Sequence, residues 1–387
     1  VTRIAVIADS HFDEHSRFDE CVRVHQWIAD DIRERRVDLV LHSGDVFERK
    51  SSPRERAAVA DWLRSVARFA PVVIVRGNHD APGDLALFSK LRAQYPIIVE
   101  EAAAVHVVAG VAVACLAWPR KAELAARAPD LDPSDALRRV LLGLGQQLAE
   151  HSGPRVLLSH AMVRDSRVST GQPLVGCDME LGVEDLALAN ADAYALGHIH
   201  MPQEWEAASQ PTDRPWYEAT APVIYPGSPR RTAFGEVEEK GYVVLDFENH
   251  EPVRVTRITT PCARMLLVSA TWEAGALRWD GEHQTPDLIG PLEGAEIRLR
   301  YTVRADERVA ARDAAVRVEA DWRARGAVNV KLEDVVVAMN AARAPEVAKA
   351  RTLEEKLRAL WAARGDVDED RAARLLPRAH ELEEAAS

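Results

Sequence analysis

At 387 residues the chain exceeds one average domain, and a norm of roughly 100 to 200 residues each points to two or three. Apolar residues at 47% and charged residues at 28% exclude a disordered, collagen-like or low-complexity protein. The net charge of -12 excludes a coat on nucleic acid held by bulk positive charge, while leaving room for local arginine contacts.

In chain order, short β-branched runs at residues 3–8, 38–42, 72–76, 155–159 and 191–196 read as strands ended by polar residues or glycine. Between them, residues 18–36, 53–69 and 133–151 carry a helical period, the second opening on the start signal Ser52-Pro53. This alternation predicts buried strands covered by helices. The longest apolar run, 102–118, is shorter than the roughly 20 residues that span a bilayer and carries His106, so no membrane segment is expected. The N-terminus leads into an acidic motif without the basic, apolar and cleavage regions of a secretion signal, which predicts a cytoplasmic protein.

Residues 221–225, 241–247 and 253–259 read as strands without intervening helices, an antiparallel finish, and a domain boundary is placed near residue 250. Beyond it come a strand, a connection, a strand at 295–303, a helix at 306–325 and a strand at 327–337, enough for a small α+β domain. Helical patterns at 352–364 and 367–384 then flank Gly365-Asp366. A hairpin this short has little core of its own, so Leu353, Leu357, Leu360 and Trp361 need another surface. Cys21, Cys115, Cys177 and Cys262 are scattered, which indicates neither a disulfide framework nor a thiolate zinc site.

Five short motifs follow predicted strands: Asp9-Ser-His11, Gly44-Asp45, Gly77-Asn78-His79-Asp80, Ser159-His160 and Gly197-His198-Ile-His200. Steps of 36, 33 and 38 residues separate Asp9 from Asp45, Asp45 from Asn78 and His160 from His198. Each step is about one βαβ unit, so the motifs return to the C-terminal ends of successive strands, where an α/β sheet forms its crevice. Asp9/His11 and His198/His200, spaced i, i+2, would point to one side if the backbone were extended. Two carboxylates, an Asn amide oxygen and four imidazoles suit Mn²⁺, Fe²⁺ or Zn²⁺, and seven donors are too many for one tetrahedral ion. Two metals sharing one carboxylate fit that count, and two close cations suit hydrolysis of a phosphoester. His79 is left for general-acid work or transition-state charge, oriented by Asp80. One such dipeptide alone would be an ordinary turn, and a lone His25, His106 or His151 is read as packing or surface.

At these motifs the sequence resembles the calcineurin-like metallophosphoesterase superfamily, whose pattern is DxH, GD, GNH[DE], H and GHxH. The resemblance implies one metal on Asp9, His11, Asp45 and His200 and another on Asp45, Asn78, His160 and His198, with Asp45 bridging. The fold class it implies is α/β: a metallophosphoesterase β-sandwich flanked by helices, with a small α+β capping domain and a C-terminal helical hairpin. Residues 38–47, Leu196-Gly-His-Ile-His, Tyr225-Pro-Gly-Ser-Pro-Arg-Arg, Phe234-Gly-Glu and Glu239-Lys-Gly-Tyr further resemble the SbcD family of bacterial nuclease subunits. The expected domains are a nuclease domain at 1–250, a DNA-capping domain at 251–343 and a segment at 344–387 docking on a coiled-coil ATPase of SbcC type.

That resemblance implies a Mn²⁺-dependent nuclease acting on DNA ends, 3′ to 5′ on duplex and endonucleolytic on hairpins or single strands, as a homodimer within a heterotetramer. A phosphatase or small-molecule phosphodiesterase is the alternative, with Arg49 at the phosphate-binding arginine position of phosphoprotein phosphatases; a DNA-end scaffold is a third. Arg304, Arg308 and Arg312 form a candidate phosphate-facing strip, although Asp306, Glu307, Asp313 and Glu319 share that helix. Two departures stand out. Residues 202–222 read as an inserted loop near the site mouth, and Glu48 replaces the His or Asp common in the family.

Overall fold

A computed structural model describes residues 1–169, 179–208, 220–248, 251–280, 290–337, 345–365 and 367–386. The elements run β1 (Thr2–Ile7), α1 (Phe18–Glu34), β2 (Leu39–His42), α2 (Pro53–Val66), β3 (Val72–Val75), β4 (Ile97–Glu100), β5 (Ala103–Val108), β6 (Val111–Leu116), α3 (Lys121–Arg127), α4 (Pro133–Ala149) and β7 (Arg155–His160). There follow β8 (Met162–Val163), β9 (Glu180–Leu181), α5 (Val183–Leu186), β10 (Ala193–Gly197), β11 (Gln203–Ala208), β12 (Thr220–Tyr225), β13 (Gly241–Phe247) and β14 (Arg254–Thr259). The chain continues through β15 (Met265–Glu273), β16 (Ala276–Trp279), β17 (Glu296–Arg304), α6 (Arg308–Ala324), β18 (Asn329–Val337), α7 (Pro345–Lys349), α8 (Leu353–Arg364) and α9 (Glu369–Ala386).

Two compact units divide the chain, the first comprising Val1–Val268, Ile289–Arg298 and Asp321–Lys331. It contains two six-stranded sheets, ordered β14-β13-β1-β2-β3-β4 and β11-β12-β10-β7-β6-β5. Strands β1, β2, β3 and β4 run parallel, as do β6, β7, β10 and β12, and antiparallel strands close the edges. The first sheet takes in β14, which lies past residue 250.

Alternation along each strand sorts side chains into three cores, because successive residues point to opposite faces. Ile4, Val6, Leu39, Leu41, Val73 and Val75 of one sheet pack with Val113, Cys115, Val156, Leu158 and Ala195 of the other. The intervening Ala5, Ile7, Val40, Val72 and Ile74 face Val24, Ile28 and Ile32 of α1 and Val59, Trp62 and Leu63 of α2. Leu157, Tyr194 and Leu196 likewise face Leu137, Leu141, Leu144 and Leu148 of α4. Two sheets packed face to face and flanked by helices result, so the strands read as one α/β alternation belong to a sandwich.

The helices start where the sequence signals them. Ser52 caps α2 in a reciprocal pair with Glu55, with Pro53 in the first turn, and Asp132 caps α4 ahead of Pro133. The apolar run 102–118 is a hairpin, β5 to β6, turning through Ala109 and Gly110 at φ 50° and 77°. Of the expected loop at 202–222, Gln203–Ala208 is a strand paired antiparallel with β12, and 209–219 lie outside the described residues. Its alternating side chains had the period of a half-buried edge strand.

The second unit, Ser269–Leu288, Leu299–Ala320 and Leu332–Ser387, carries most of a four-stranded sheet ordered β16-β15-β17-β18 and most of α6, together with α7 to α9. Thr352 and Glu355 form a capping box on α8, which ends at Gly365 in the left-handed region. No residue of α8 is buried.

Under the first sheet lies a proton-ordered chain of neutral groups. His25 Nδ1 donates to the Cys21 carbonyl at 2.8 Å, Ser10 Oγ donates to His25 Nε2 at 2.7 Å, and His42 Nε2 donates to Ser10 Oγ at 2.8 Å. Burial pushes both histidines down from 6.5 to about 3. A histidine held neutral when folded stabilises fully above its unfolded value, and that stability is lost as pH falls from about 6.5 towards 3. In urea titrations of the metal-free protein, His25→Gln is expected to lower the slope of unfolding free energy against pH between pH 6 and 4. The decrease is up to about 1.4 kcal/mol per pH unit; an unchanged slope would show that His25 is already protonated in the fold.

Candidate metal centre

Parallel strands place the five motifs together. Asp9 and His11 follow β1, Asp45 follows β2, Asn78 and His79 follow β3, His160 ends β7, and His198 and His200 follow β10. The i, i+2 pairs do not lie in extended backbone, as the spacing suggested. Asp9, His11 and Asp45 sit at φ 53°, 45° and 53°, and His198 at 110°. Such conformations cost on the order of 1–3 kcal/mol each and persist only where surroundings impose them. Here cross-links impose them: the Asp9 N–H donates to the Gly44 carbonyl at 3.1 Å, and the His11 N–H to that of Asp45 at 3.1 Å. The sheets are joined at the same place, since the His198 N–H donates to Asp9 Oδ1 at 2.9 Å and His160 Nδ1 donates to the Ser43 carbonyl at 2.7 Å.

All seven sequence-predicted donors converge. Asp9, His11 and His200 offer ligand atoms within 4.8 Å of one another, as do Asp45, His160 and His198. Asp45 Oδ2 stands between the two sets, 3.3 Å from His160 Nε2 and 3.8 Å from His11 Nε2. Asn78 Oδ1 lies 2.8 Å from His160 Nε2 and 3.0 Å from His198 Nδ1.

These distances describe a shortage of positive charge. With its Nδ1 proton on Ser43, a neutral His160 would face the oxygens of Asp45 and Asn78 with a lone pair; His11 and His200 bring their Nε2 atoms to 3.0 Å of each other. Asp9 Oδ2 is buried and without a hydrogen-bond partner among the described residues. Facing lone pairs need a proton or a cation between them. Burial opposes ionisation of Asp45, but His160, His11 and His79 hold its carboxyl well below the usual range. Burial opposes charge on His160 too, and Asp45 nonetheless raises it to about 9. Burial, with the Asp45 charge added, pushes Asp9 up to about 6, and burial takes His198 down to about 3. A divalent cation would satisfy the same atoms, and the donor set of carboxylate, amide oxygen and imidazole suits one.

One assignment is corrected. Asp80 does not orient His79: its oxygens accept the N–H groups of Phe47 and Gly77, both at 2.9 Å, and so tie two loops together. His79 is aimed by Glu48, whose carbonyl lies 2.8 Å from His79 Nδ1, and the His79 N–H donates to Asp45 Oδ1 at 2.9 Å. Arg49, the candidate phosphate-binding arginine, pairs with Asp13 at 2.9 Å. Arg308 pairs with Asp334 at 2.6 Å and Arg304 with Asp306 at 3.2 Å, so these two members of the expected strip are engaged with carboxylates.

Sequence reasoning missed the scaffold behind the donors. Trp118 packs its ring 4.8 Å from that of His198. Tyr225 donates to the Ala161 carbonyl at 2.5 Å, and Arg230 donates to that of His11 at 2.8 Å. Lys240 is buried between Glu236 and Glu238, both at 2.7 Å. Tyr225, Arg230, Glu236 and Lys240 all belong to the stretches after residue 224 that stood out in the sequence without an assigned role.

A family model described as calcineurin-like phosphoesterase matches residues 2–202, the span that contains every donor. The chain belongs to that family. The family uses a dinuclear metal site, and this phosphoesterase has the candidate ligand clusters for one. Among curated proteins it is 26% identical over 265 residues to the SbcD subunit of the nuclease SbcCD from Bacillus subtilis, covering 60% of this chain and 63% of that protein. It is 36% identical over 72 residues to the DNA double-strand break repair protein Mre11 of Methanococcus maripaludis, 18% of each. The chain thus spans less than two thirds of either relative. A solved structure from Thermus thermophilus matches 66% of this chain and 99% of its own at 13% identity and a TM-score of 0.41, too distant to inform the chemistry.

Gly77 allows the approach of Asp45. A Cβ there would lie 2.1 Å from Asp45 Oδ1 and 2.3 Å from the Asp45 nitrogen, so Gly77→Ala must displace the Asp45 carboxylate. Hydrolysis of bis(p-nitrophenyl) phosphate by that variant is expected to fall by roughly 10²-fold. Near-normal turnover would mean that Asp45 has no catalytic placement to lose.

Proposed function

We propose that this phosphoesterase is a Mn²⁺-dependent DNA nuclease, a 3′ to 5′ exonuclease on duplex ends and an endonuclease on hairpins or single strands. It acts with a coiled-coil ATPase of SbcC type in end processing. The observation that carries the reading is the convergence of seven oxygen and nitrogen donors around the buried Asp45 carboxylate. The names of the two curated relatives support a nucleic-acid substrate, the first being called a nuclease subunit and the second a DNA double-strand break repair protein.

In this reading Asp9, His11, Asp45 and His200 hold one ion and Asp45, Asn78, His160 and His198 the other. When bound, the ions polarise the phosphoryl oxygen and activate water. The chain's own groups do the rest. Asp45, held below the usual carboxylate range by His160, His11 and His79, would offer its charge to both ions. His79, held at Nδ1 by the Glu48 carbonyl, presents Nε2 as the atom that gives a proton to the leaving oxygen. Asp80 holds the loops of Phe47 and Gly77 so that Asp45 and His79 keep their spacing.

Residues 251–343, with the small sheet and α6, are assigned to capping DNA, and 344–387 to docking on the ATPase within a heterotetramer built on a homodimer. The partly exposed apolar side chains of α8, Leu360 at 36% among them, suit a docking face.

Purified protein with Mn²⁺ is expected to degrade linear duplex DNA. Asp45→Asn is expected to abolish that activity, and His79→Gln to reduce it by roughly 10²- to 10⁴-fold with metal uptake retained. Full nuclease activity in Asp45→Asn, or turnover of phosphopeptides with none of DNA, would reject the proposal.

A further inference from the structure

Arg76 follows β3 and leads into Gly77-Asn78-His79, and its carbonyl accepts the Trp118 N–H at 2.9 Å. Its side chain is 3% exposed, yet Nε and Nη1 have no hydrogen-bond partner among the described residues. The neighbouring carboxylates are engaged elsewhere. Glu101 Oε2 is 3.9 Å from Arg76 Nε, an ion pair too long for a hydrogen bond, and the Glu101 oxygens accept the Gly83 N–H at 3.0 and 2.9 Å. Asp80 accepts the N–H groups of Phe47 and Gly77. Arg120, two residues past Trp118, has a side chain 35% exposed, with Glu123 Oε1 3.6 Å from its Nη1. Burial first, and then the charge of Arg120, lower Arg76 from its ordinary value, so two guanidinium groups stand near enough to repel.

A buried guanidinium without a bonded partner is costly, and an anion beside it offsets both the burial and the repulsion. The planar fork of arginine matches the oxygens of a phosphate group. The pair also lies close to the chemistry, because the Trp118 ring packs 4.8 Å from that of His198 and Arg76 adjoins the loop of Asn78 and His79. We infer that Arg76 and Arg120 form an anion subsite beside the candidate metal centre, entered from the side of Arg120, which takes a phosphate group of the nucleic-acid strand next to the one that is cleaved. The role of that phosphate rests on the nuclease reading above; the subsite itself does not.

The first test uses inorganic phosphate and the metal-free protein in EDTA, where no bound metal can hold the anion. Phosphate is expected to bind saturably in a calorimetric titration and to raise the melting temperature. Arg120→Gln should weaken that binding by roughly 10- to 100-fold. Arg76→Met should abolish the rise with phosphate while keeping the phosphate-free melting temperature at or above that of wild type, since it deletes an unpaired buried charge. Phosphate binding that does not saturate, or that neither substitution weakens, would overturn the subsite. The second test compares, with Mn²⁺, the cleavage of thymidylyl-thymidine and of its 5′- and 3′-phosphorylated forms. Wild type should cleave one phosphorylated form with a kcat/KM roughly 10-fold higher or more, and Arg120→Gln should erase that preference. Equal rates in wild type would overturn the assignment to a substrate phosphate and leave a site for free phosphate. Cleavage of none of the three, with phosphate still bound in the first test, would reject the nuclease reading and the role drawn from it but spare the subsite.

Discussion

The carboxylate of Asp45 holds a negative charge in a place where burial opposes it, and the chain around it is arranged to keep that charge. His160 and His11 approach it from different strands, the backbone of His79 donates to it, and Gly77 leaves the space it fills. A buried charge without such partners would be driven to neutralise. Around that oxygen pair stand the left-handed backbone at Asp9, His11 and Asp45 and the loops tied by Asp80.

The same requirement links the two halves of the sandwich. The apolar layer between the sheets, from Ile4 and Val6 to Val156 and Leu158, is non-directional and sets no fine register by itself. The polar bonds at its end do: His198 to Asp9, His160 to Ser43, and Ser43 Oγ to the Ala195 carbonyl at 3.3 Å. Stability is supplied by the layers and geometry by the site, and the strain at the ligand positions is sustained because the layers on both sides are closely packed.

Behind the donors, polar groups are graded rather than uniform. Neutral hydrogen-bond chains through His25, Ser10 and His42 lie under the first sheet, while charged groups, Glu48 and the Glu236–Lys240 pair, stand behind His11 and His200. A neutral chain supports a loop without adding charge near the site, whereas a carboxylate adds to the field there. The stretches from Tyr225 to Lys240 therefore act as the back wall of the candidate metal centre, although they contribute none of its seven candidate ligands.

The central strands, the main amphipathic helices and the seven side chains that the structure brings together were legible in the sequence, because period and spacing are local properties and each motif closes a βα step. The hairpin of β5 and β6 was not: a continuous apolar run carries no period, and only the positive φ at Ala109 and Gly110 divides it. Strand β11 was hidden in what read as a polar loop, since an edge strand is recognised by its partner. The division of strands between two sheets, the transfer of the orienting role from Asp80 to Glu48, and the pairing of Glu236 with Lys240 behind His200 were decided by tertiary structure alone. Each depends on which distant segments come within about 3 Å, the range over which a hydrogen bond acts. The sequence by itself determined which atoms could bind metal and that strand ends would gather them. Packing of one sheet on the other decided which side chains stand behind those atoms and hold them.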